Sequence, residues 1–365
     1  MPEAQAGQDK TPAPVLVTGA NGYIASWLVK RLLDSGTAVH AAVRDPDDAA
    51  RTGHLHRLAE QAQGSLTLFQ ADLLRDGAYD AAMHGCATVY HTASPFMIDQ
   101  TGDPDARFIA PALQGTRNVL NSVDRTATVR RVVLTSSVAA IYGDAADCIA
   151  AGGTLTETHW NTSSSPAHNP YAYAKTVAER AAWDRADAQQ QENPRWRLVV
   201  VNPGLVLGPS LSGATQSGTF SLMRRYTDFS LLLGVPDLWL GCVDVRDVAE
   251  AHWRAGTLPG ASGRHILVAE TDTMLGIGRR LRRLFGPFHP YPRTTIPKPV
   301  LRLLAPMLGI DRAFVDANVG IPLRFDATRA ATDLGLGFRP LDQTLYDHFH
   351  QAFSSGAPLK KCPGA

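Results

Sequence analysis

From Val15 onward, short β-branched runs alternate with longer amphipathic stretches, the pattern of βαβ units wound around a parallel sheet. Six runs read as strands: VLVTG at 15–19, AVHAAV at 38–43, LTLFQ at 66–70, ATVYHTA at 87–93, RVVLTSS at 131–137 and RLVVVNP at 197–203. They are nearly continuously apolar, which suits a sheet covered on both faces. Between the first two, Ile24, Leu28 and Leu32 fall on one helical face and Gly36 follows as a stop. The fold class predicted is α/β, a doubly wound parallel sheet. No internal repeat or low-complexity tract interrupts it.

Past residue 204 the spacing loosens into GPSLSGATQSG at 208–218, FSLLLGVPDLWLG at 229–241 and the proline-punctuated GPFHPYPRTTIPKP at 286–299. This predicts a sheet domain over 14–204 and a smaller substrate-binding region over 205–239 and 271–353, covering the C-terminal ends of the strands. Segments near 240–270 are expected to return to the main sheet: CVDVRDVAEAH at 242–252 as a strand leading into a helix, and RHILVA at 264–269 as an edge strand. Residues 1–13 read as a loose polar leader without the apolar stretch of a signal peptide, and 354–365 as a tail.

Composition narrows the function. Across 365 residues, 35 Lys and Arg balance 34 Asp and Glu, which gives no reason to expect nucleic acid or an anionic membrane as partner. The apolar runs are short of a membrane span and broken by Pro or Gly. Cys86, Cys148, Cys242 and Cys362 lie far apart, with no paired spacing, so neither a zinc site nor a disulfide scaffold is expected, and no metal. A cytoplasmic protein, monomer or homodimer, is the expectation.

The chemistry sits at three strand ends. Val17-Thr18-Gly19-Ala20-Asn21-Gly22-Tyr23-Ile24-Ala25 lies between the first strand and the first helix. Gly19 permits a tight turn, Gly22 lets the backbone approach a pyrophosphate and Ala25 lets helix pack on strand; the phosphates then sit at the helix N-terminus, beside Tyr23 and Ile24. An acid about 20 residues on would hold the ribose 2′-hydroxyl of NAD. The second strand instead ends in apolar Val43, and Arg44 follows where a 2′-phosphate needs a fork of donors, so NADP(H) is favoured. The other reading makes Arg44 a solvated surface residue and gives the ribose to Asp45.

Pro170-Tyr171-Ala172-Tyr173-Ala174-Lys175 opens a helix, placing Tyr171 and Lys175 four apart on one face with Tyr173 turned away. An ammonium beside a phenol favours its phenolate; lowering that pKa from about 10 toward 7 takes roughly 4 kcal/mol of differential stabilisation. Thr135-Ser136-Ser137 ends the fifth strand run, where a hydroxyl faces the crevice and can bind a carbonyl.

Together these features resemble the extended short-chain dehydrogenase/reductase superfamily, which is the NAD-dependent epimerase/dehydratase superfamily, on a Rossmann fold. The similarity runs from about residue 14 to 350. VRDP at 43–46, ADL at 71–73, HTASP at 91–95, GTRNVL at 115–120, YAYAKTVAERAAW at 171–183 and NPGLVLGP at 202–209 are similar to the dihydroflavonol reductase, cinnamoyl-CoA reductase and aldehyde reductase branch. The resemblance implies that Asp72 accepts from the adenine amino group and Leu73 lines its pocket. It places Ala93 and Ser94 along the ribose, and Pro203, Leu205 and Val206 at the nicotinamide. It also implies a catalytic Ser137, with Ser136 the close alternative, a proton-donating Tyr171, and a Lys175 that binds the nicotinamide ribose and lowers the Tyr171 pKa. The Asn that many relatives place ahead of Gly115-Thr116 is absent from 108–114.

The implied function is reversible, NADPH-dependent carbonyl reduction of a small-molecule aldehyde or ketone to its alcohol. A sugar-nucleotide epimerase or dehydratase and a steroid dehydrogenase use the same scaffold, and an NADP-sensing scaffold protein is the non-enzyme alternative. Where plant flavonoid reductases carry a polar Asn four residues after the catalytic Ser, this chain has Ile141, followed by Tyr142. A mostly apolar pocket, its wall shaped by Tyr142 or by residues from Thr219 to Trp239, is expected, unless Ile141 simply faces the core.

Overall fold

A computed structural model describes residues 13–94, 108–212 and 218–354. The expected leader apart from Ala13, the tail beyond Ser354, Pro95 of HTASP and 213–217 of the GPSLSGATQSG stretch lie outside the described residues. The first half runs β1 (Val15–Thr18), α1 (Tyr23–Asp34), β2 (Ala38–Val43), α2 (Ala49–Glu60), β3 (Ser65–Gln70), α3 (Asp80–Met83), β4 (Thr88–His91) and α4 (Ala110–Arg125). It continues β5 (Arg131–Thr135), α5 (Ala146–Ala150), α6 (Pro170–Glu192) and β6 (Arg197–Pro203). The rest is β7 (Leu205–Leu207), α7 (Gly218–Arg224), β8 (Trp239–Asp244), α8 (Val245–Thr257), β9 (Gly263–Leu267), β10 (Glu270–Thr273), α9 (Met274–Phe285), α10 (Lys298–Leu304), α11 (Arg312–Asn318), α12 (Thr328–Leu334) and α13 (Leu341–Ser354).

Seven strands form one parallel sheet in the order β3-β2-β1-β4-β5-β6-β9. All six predicted runs are in it, and RHILVA supplies the edge strand β9. The order reverses between β1 and β4, opening the crevice at their C-terminal ends where ligands bind in such sheets. Each face is covered. Leu28, Val29, Leu32 and Leu33 of α1 pack with Val245, Val248 and Ala251 of α8 on one side; Val119 and Val123 of α4 pack with Ala182 and Ala186 of α6 on the other. Helix α1 stops as its sequence predicts: Gly36 takes φ 77° and donates to the Leu33 carbonyl at 3.0 Å.

The expectation that CVDVRDVAEAH rejoins the main sheet is corrected. Its strand β8 pairs in parallel with β7 and antiparallel with β10 in a separate three-stranded sheet; only its helix α8 returns to the main layer. The reason is local. Strand β9 occupies the edge of β6, and the chain leaves the main sheet between Pro203 and Leu205. There a Cβ on Gly204 would stand 2.2 Å from the Gly241 carbonyl oxygen, so glycine lets the two sheets touch. No helix among the described residues is long and apolar enough to cross a membrane.

Candidate active site

The crevice at the β1–β4 switch has a volume of about 590 Å³. Gly19 turns at φ 63°, and a Cβ there would lie 3.1 Å from Ala93, so a side chain would close the cradle. Gly22 is the N-cap of α1 and provides no side-chain acceptor, which leaves the first-turn N–H groups to the crevice. Gly19, Gly22, Arg44, Asp72, Leu73, Ala93 and Ser94 all line it. Tyr23, Ile24 and Ala25 form the first turn, and their side chains turn away from the crevice. The Tyr23 hydroxyl donates to the Gly208 carbonyl at 2.8 Å and its ring meets Phe220, while Ile24 and Ala25 pack into the core. Asp72 accepts from the Leu74 N–H at 2.9 Å, and Leu73 fills the space left by Gly115.

At the next strand end the two serines part. The Ser136 hydroxyl is buried and donates to Glu179 at 2.5 Å. Ser137 is half-buried in extended backbone; its hydroxyl accepts from the Ala139 N–H at 3.1 Å, points toward the Pro203 carbonyl at 3.5 Å and lies within hydrogen-bonding reach of the Tyr171 phenol. Thr135 is bound to His252 at 2.6 Å. Of the three hydroxyls, Ser137 is therefore the one turned to Tyr171. Pro203 sits beside it, and Leu205 and half-open Gly204 lead away into β7, with Val206 buried.

Asn169 sets the start of α6. It adopts the left-handed conformation (φ 56°, ψ 59°), its carbonyl oxygen accepts from the Ala172 N–H at 3.4 Å and its amide donates to the Gly143 carbonyl at 2.9 Å. Asn tolerates that backbone and caps the helix at once. Asn169→Ala is expected to lower stability by about 1–2 kcal/mol, read as a lower unfolding midpoint in urea.

The electrostatics of Tyr171 differ from the expectation. Burial in the crevice pushes its phenol up, opposed by the bond to Ser137; Lys175 does not enter. The ring is still 44% exposed, so water tempers the upward push. Lys175 turns to Ser94 instead, Nζ to Oγ 3.2 Å, and desolvation pulls its own pKa down to about 8, with Glu179 holding it up. The expected lowering of Tyr171 by Lys175 is thus not present here: the ammonium is directed at the crevice wall and the phenol at Ser137.

The family model for the NAD dependent epimerase/dehydratase family matches residues 15–269, well over half of the chain. The chain belongs to this family. Within the family it is 35% identical over 334 residues to cinnamoyl-CoA reductase CAD2 of Medicago truncatula, spanning 91% of this chain and 93% of that protein. Its fold is similar to Gre2 from Candida albicans in complex with NADPH, at TM-score 0.75 and 27% identity over 95% of this chain and 100% of that one. Yeast methylglyoxal/isovaleraldehyde reductase Gre2 complexed with NADPH is similar at TM-score 0.73 and 26% identity, over 94% and 98%.

Two features of this family member escape the sequence reading. Arg51, in the first turn of α2, lines the crevice with Arg44 and is ion-paired to Asp48 at 3.3 Å. The signal for it is the position of a second Arg one helix start after VRDP. Tyr79, buried under the same crevice, carries no such signal. The substrate-side reading of Ile141 is corrected. It is 1% exposed, packed with Val138, Cys148, Leu155 and Leu323, because the turn after Ser137 folds inward. Tyr142 is half-buried against Phe325, ring centroids 5.6 Å apart.

Proposed function

We propose that the chain reduces aldehydes and ketones to alcohols with NADPH, through Ser137, Tyr171 and Lys175. The chain is an NADP-dependent oxidoreductase, with reductases as relatives and NADPH-bound reductases as structural neighbours. The finer reading rests on one observation: Ser137 and Tyr171 face each other at a strand end, with Lys175 one turn along the same helix, beside the crevice.

The residues present fit the cofactor. A cradle that any Cβ at Gly19 would fill, an uncapped helix N-terminus and the paired Arg44 and Arg51 together accommodate pyrophosphate and 2′-phosphate. NADPH, when bound, supplies the hydride. Ser137 then donates a hydrogen bond to the carbonyl oxygen as negative charge grows there. Tyr171 gives its phenolic proton to the same oxygen, and a phenol whose pKa burial raises stays protonated for that task. Lys175 places a positive charge beside the centre and reaches the ribose side through Ser94. Residues 14–204 with β9 would hold the cofactor, and 205–239 with 271–353 would close over the substrate, in a cytoplasmic monomer or homodimer.

Oxidation of NADPH followed with a panel of alkyl and aryl aldehydes, ketones, an aryl acyl-CoA thioester and a sugar nucleotide tests the reading. Turnover with aldehydes or ketones is expected; turnover confined to the sugar nucleotide overturns it. The pH dependence has a definite sign. Reduction uses protonated Tyr171 and protonated Lys175, and the latter titrates at about 8, so kcat/KM is expected to hold at neutral pH and fall as pH rises past that value.

A further inference from the structure

One turn beyond Lys175, α6 buries a carboxylate that the mechanism above does not use. Glu179 is 1% exposed, on the same helical face. One oxygen accepts from the Ser136 hydroxyl at 2.5 Å and the Asn202 amide at 2.8 Å; the other accepts from Arg264 Nε at 2.6 Å and Trp183 Nε1 at 3.3 Å. Asn202 also donates to the Ser137 carbonyl at 3.1 Å, and Arg264 to the carbonyls of Glu157, His159 and Ala140. Arg264 is 6% exposed and stacks 3.9 Å from the Trp160 ring. The residue that follows β5 and residues of α6, β6 and β9 thus converge on one anion.

Stability does not explain such a pair, since burying two charges costs about as much as their attraction returns, and apolar side chains of similar size serve a core as well. Its place explains it better. A cavity of about 20 Å³, room for one water, lies between Lys175, Ser136, Thr116 and Glu179. We propose that Glu179 is a positioning residue of the reaction centre: it sets a negative charge behind Lys175 and ties down the backbone that presents Ser137, with Arg264 as its counterweight. The proposal rests on the Ser137–Tyr171–Lys175 reading.

The surroundings of Lys175 leave this role to Glu179. On β4, His91 is held neutral by burial, its pKa pushed down to about 3. Helix α4 contributes uncharged Ala112 and Thr116. On β5, Thr135 is engaged by His252 of α8, which burial also keeps neutral, at about 4. Tyr171, on the same helix, is a phenol raised by burial. Behind Glu179 stand Arg264, of the opposite sign, and Glu157, whose carboxyl burial raises. Burial alone drives Lys175 toward neutrality; Glu179 is the group that opposes it.

The chain has six lysines, so the Lys175 side chain can be titrated directly by NMR of ¹³Cε-labelled lysine, with Lys175→Arg assigning the resonance. Glu179→Gln removes the anion and leaves Arg264 positive; the Lys175 midpoint is expected to fall by about one pH unit or more. Arg264→Gln leaves the anion uncompensated, and the midpoint is expected to rise. The double variant loses the anion and its counter-charge together, and its midpoint is expected to lie below the native value but above that of Glu179→Gln. The alkaline limb of kcat/KM should move with each midpoint, with KM little changed. Glu179→Asp keeps the charge one methylene further back and retains a partner for Arg264, so it carries the test if a neutral variant does not fold. Its midpoint should fall less than that of Glu179→Gln, with kcat reduced through the lost bonds to Ser136 and Asn202.

A midpoint unchanged in both Glu179 variants overturns the proposal. So does a shift of the same sign in Glu179→Gln and Arg264→Gln, the mark of general loosening. Midpoints that move in opposite directions while the rate profile stays fixed support the electrostatic role of Glu179 and count against Lys175 as part of the reaction.

Discussion

Tyr171→Phe is expected to lower turnover by about 10²–10⁴-fold on a verified aldehyde or ketone while leaving NADPH binding and the unfolding midpoint nearly unchanged. The phenyl ring keeps the shape of the site, and the hydroxyl removed bonds to Ser137, which retains the Ala139 N–H and the Pro203 carbonyl as partners. What is lost is the proton for the developing alkoxide. Because the group acts in the transition state, kcat and kcat/KM should fall together with KM preserved. Tyr173→Phe, two residues after Tyr171 and turned away from the face that carries Lys175, serves as the control and should retain near-native rates. Near-native turnover by Tyr171→Phe would move the proton donor elsewhere and remove the basis of the assigned triad.

The main sheet was legible because its strands are buried on both faces and so read as unbroken apolar runs. Val15–Thr18 is wholly buried, as are all residues of β6 but Arg197. The small sheet was not legible. Strand β7 continues the run LVVVNPGLVLG after a single glycine, and β10 is Glu270-Thr271-Asp272-Thr273, with no apolar signal. A similar limit applied to the site. Spacing along α6 put Tyr171 and Lys175 on one face, but what parts Ser136 from Ser137, the bond of Ser136 to Glu179, is made to a residue 43 positions away. Ile141 showed the same limit from the other side: residue type marked it apolar, but only the inward fold of the turn after Ser137 reveals that it faces the core.

Cofactor choice should follow Arg44. In Arg44→Ala, charge-assisted bonds to the 2′-phosphate of the kind worth about 1.5–3 kcal/mol disappear, so NADPH affinity is expected to drop roughly ten- to hundred-fold while NADH is little affected. The structure strengthens this expectation. Val43, at the end of β2, is 2% exposed and offers no carboxylate to a ribose. Asp45, the rival, already spends an oxygen on the Asp47 N–H at 3.0 Å, which holds the turn into α2. Arg51→Ala should act in the same direction but more weakly. Its side chain is 64% exposed and is shared with Asp48, so water and a carboxylate already compete for its donors. Dissociation constants for both cofactors, measured by fluorescence titration at low and high salt, check the assignment. The Arg44 effect on NADPH should shrink as salt screens the phosphate. Equal losses for NADPH and NADH in Arg44→Ala would instead make Arg44 a wall of the adenosine pocket and return the ribose to Asp45.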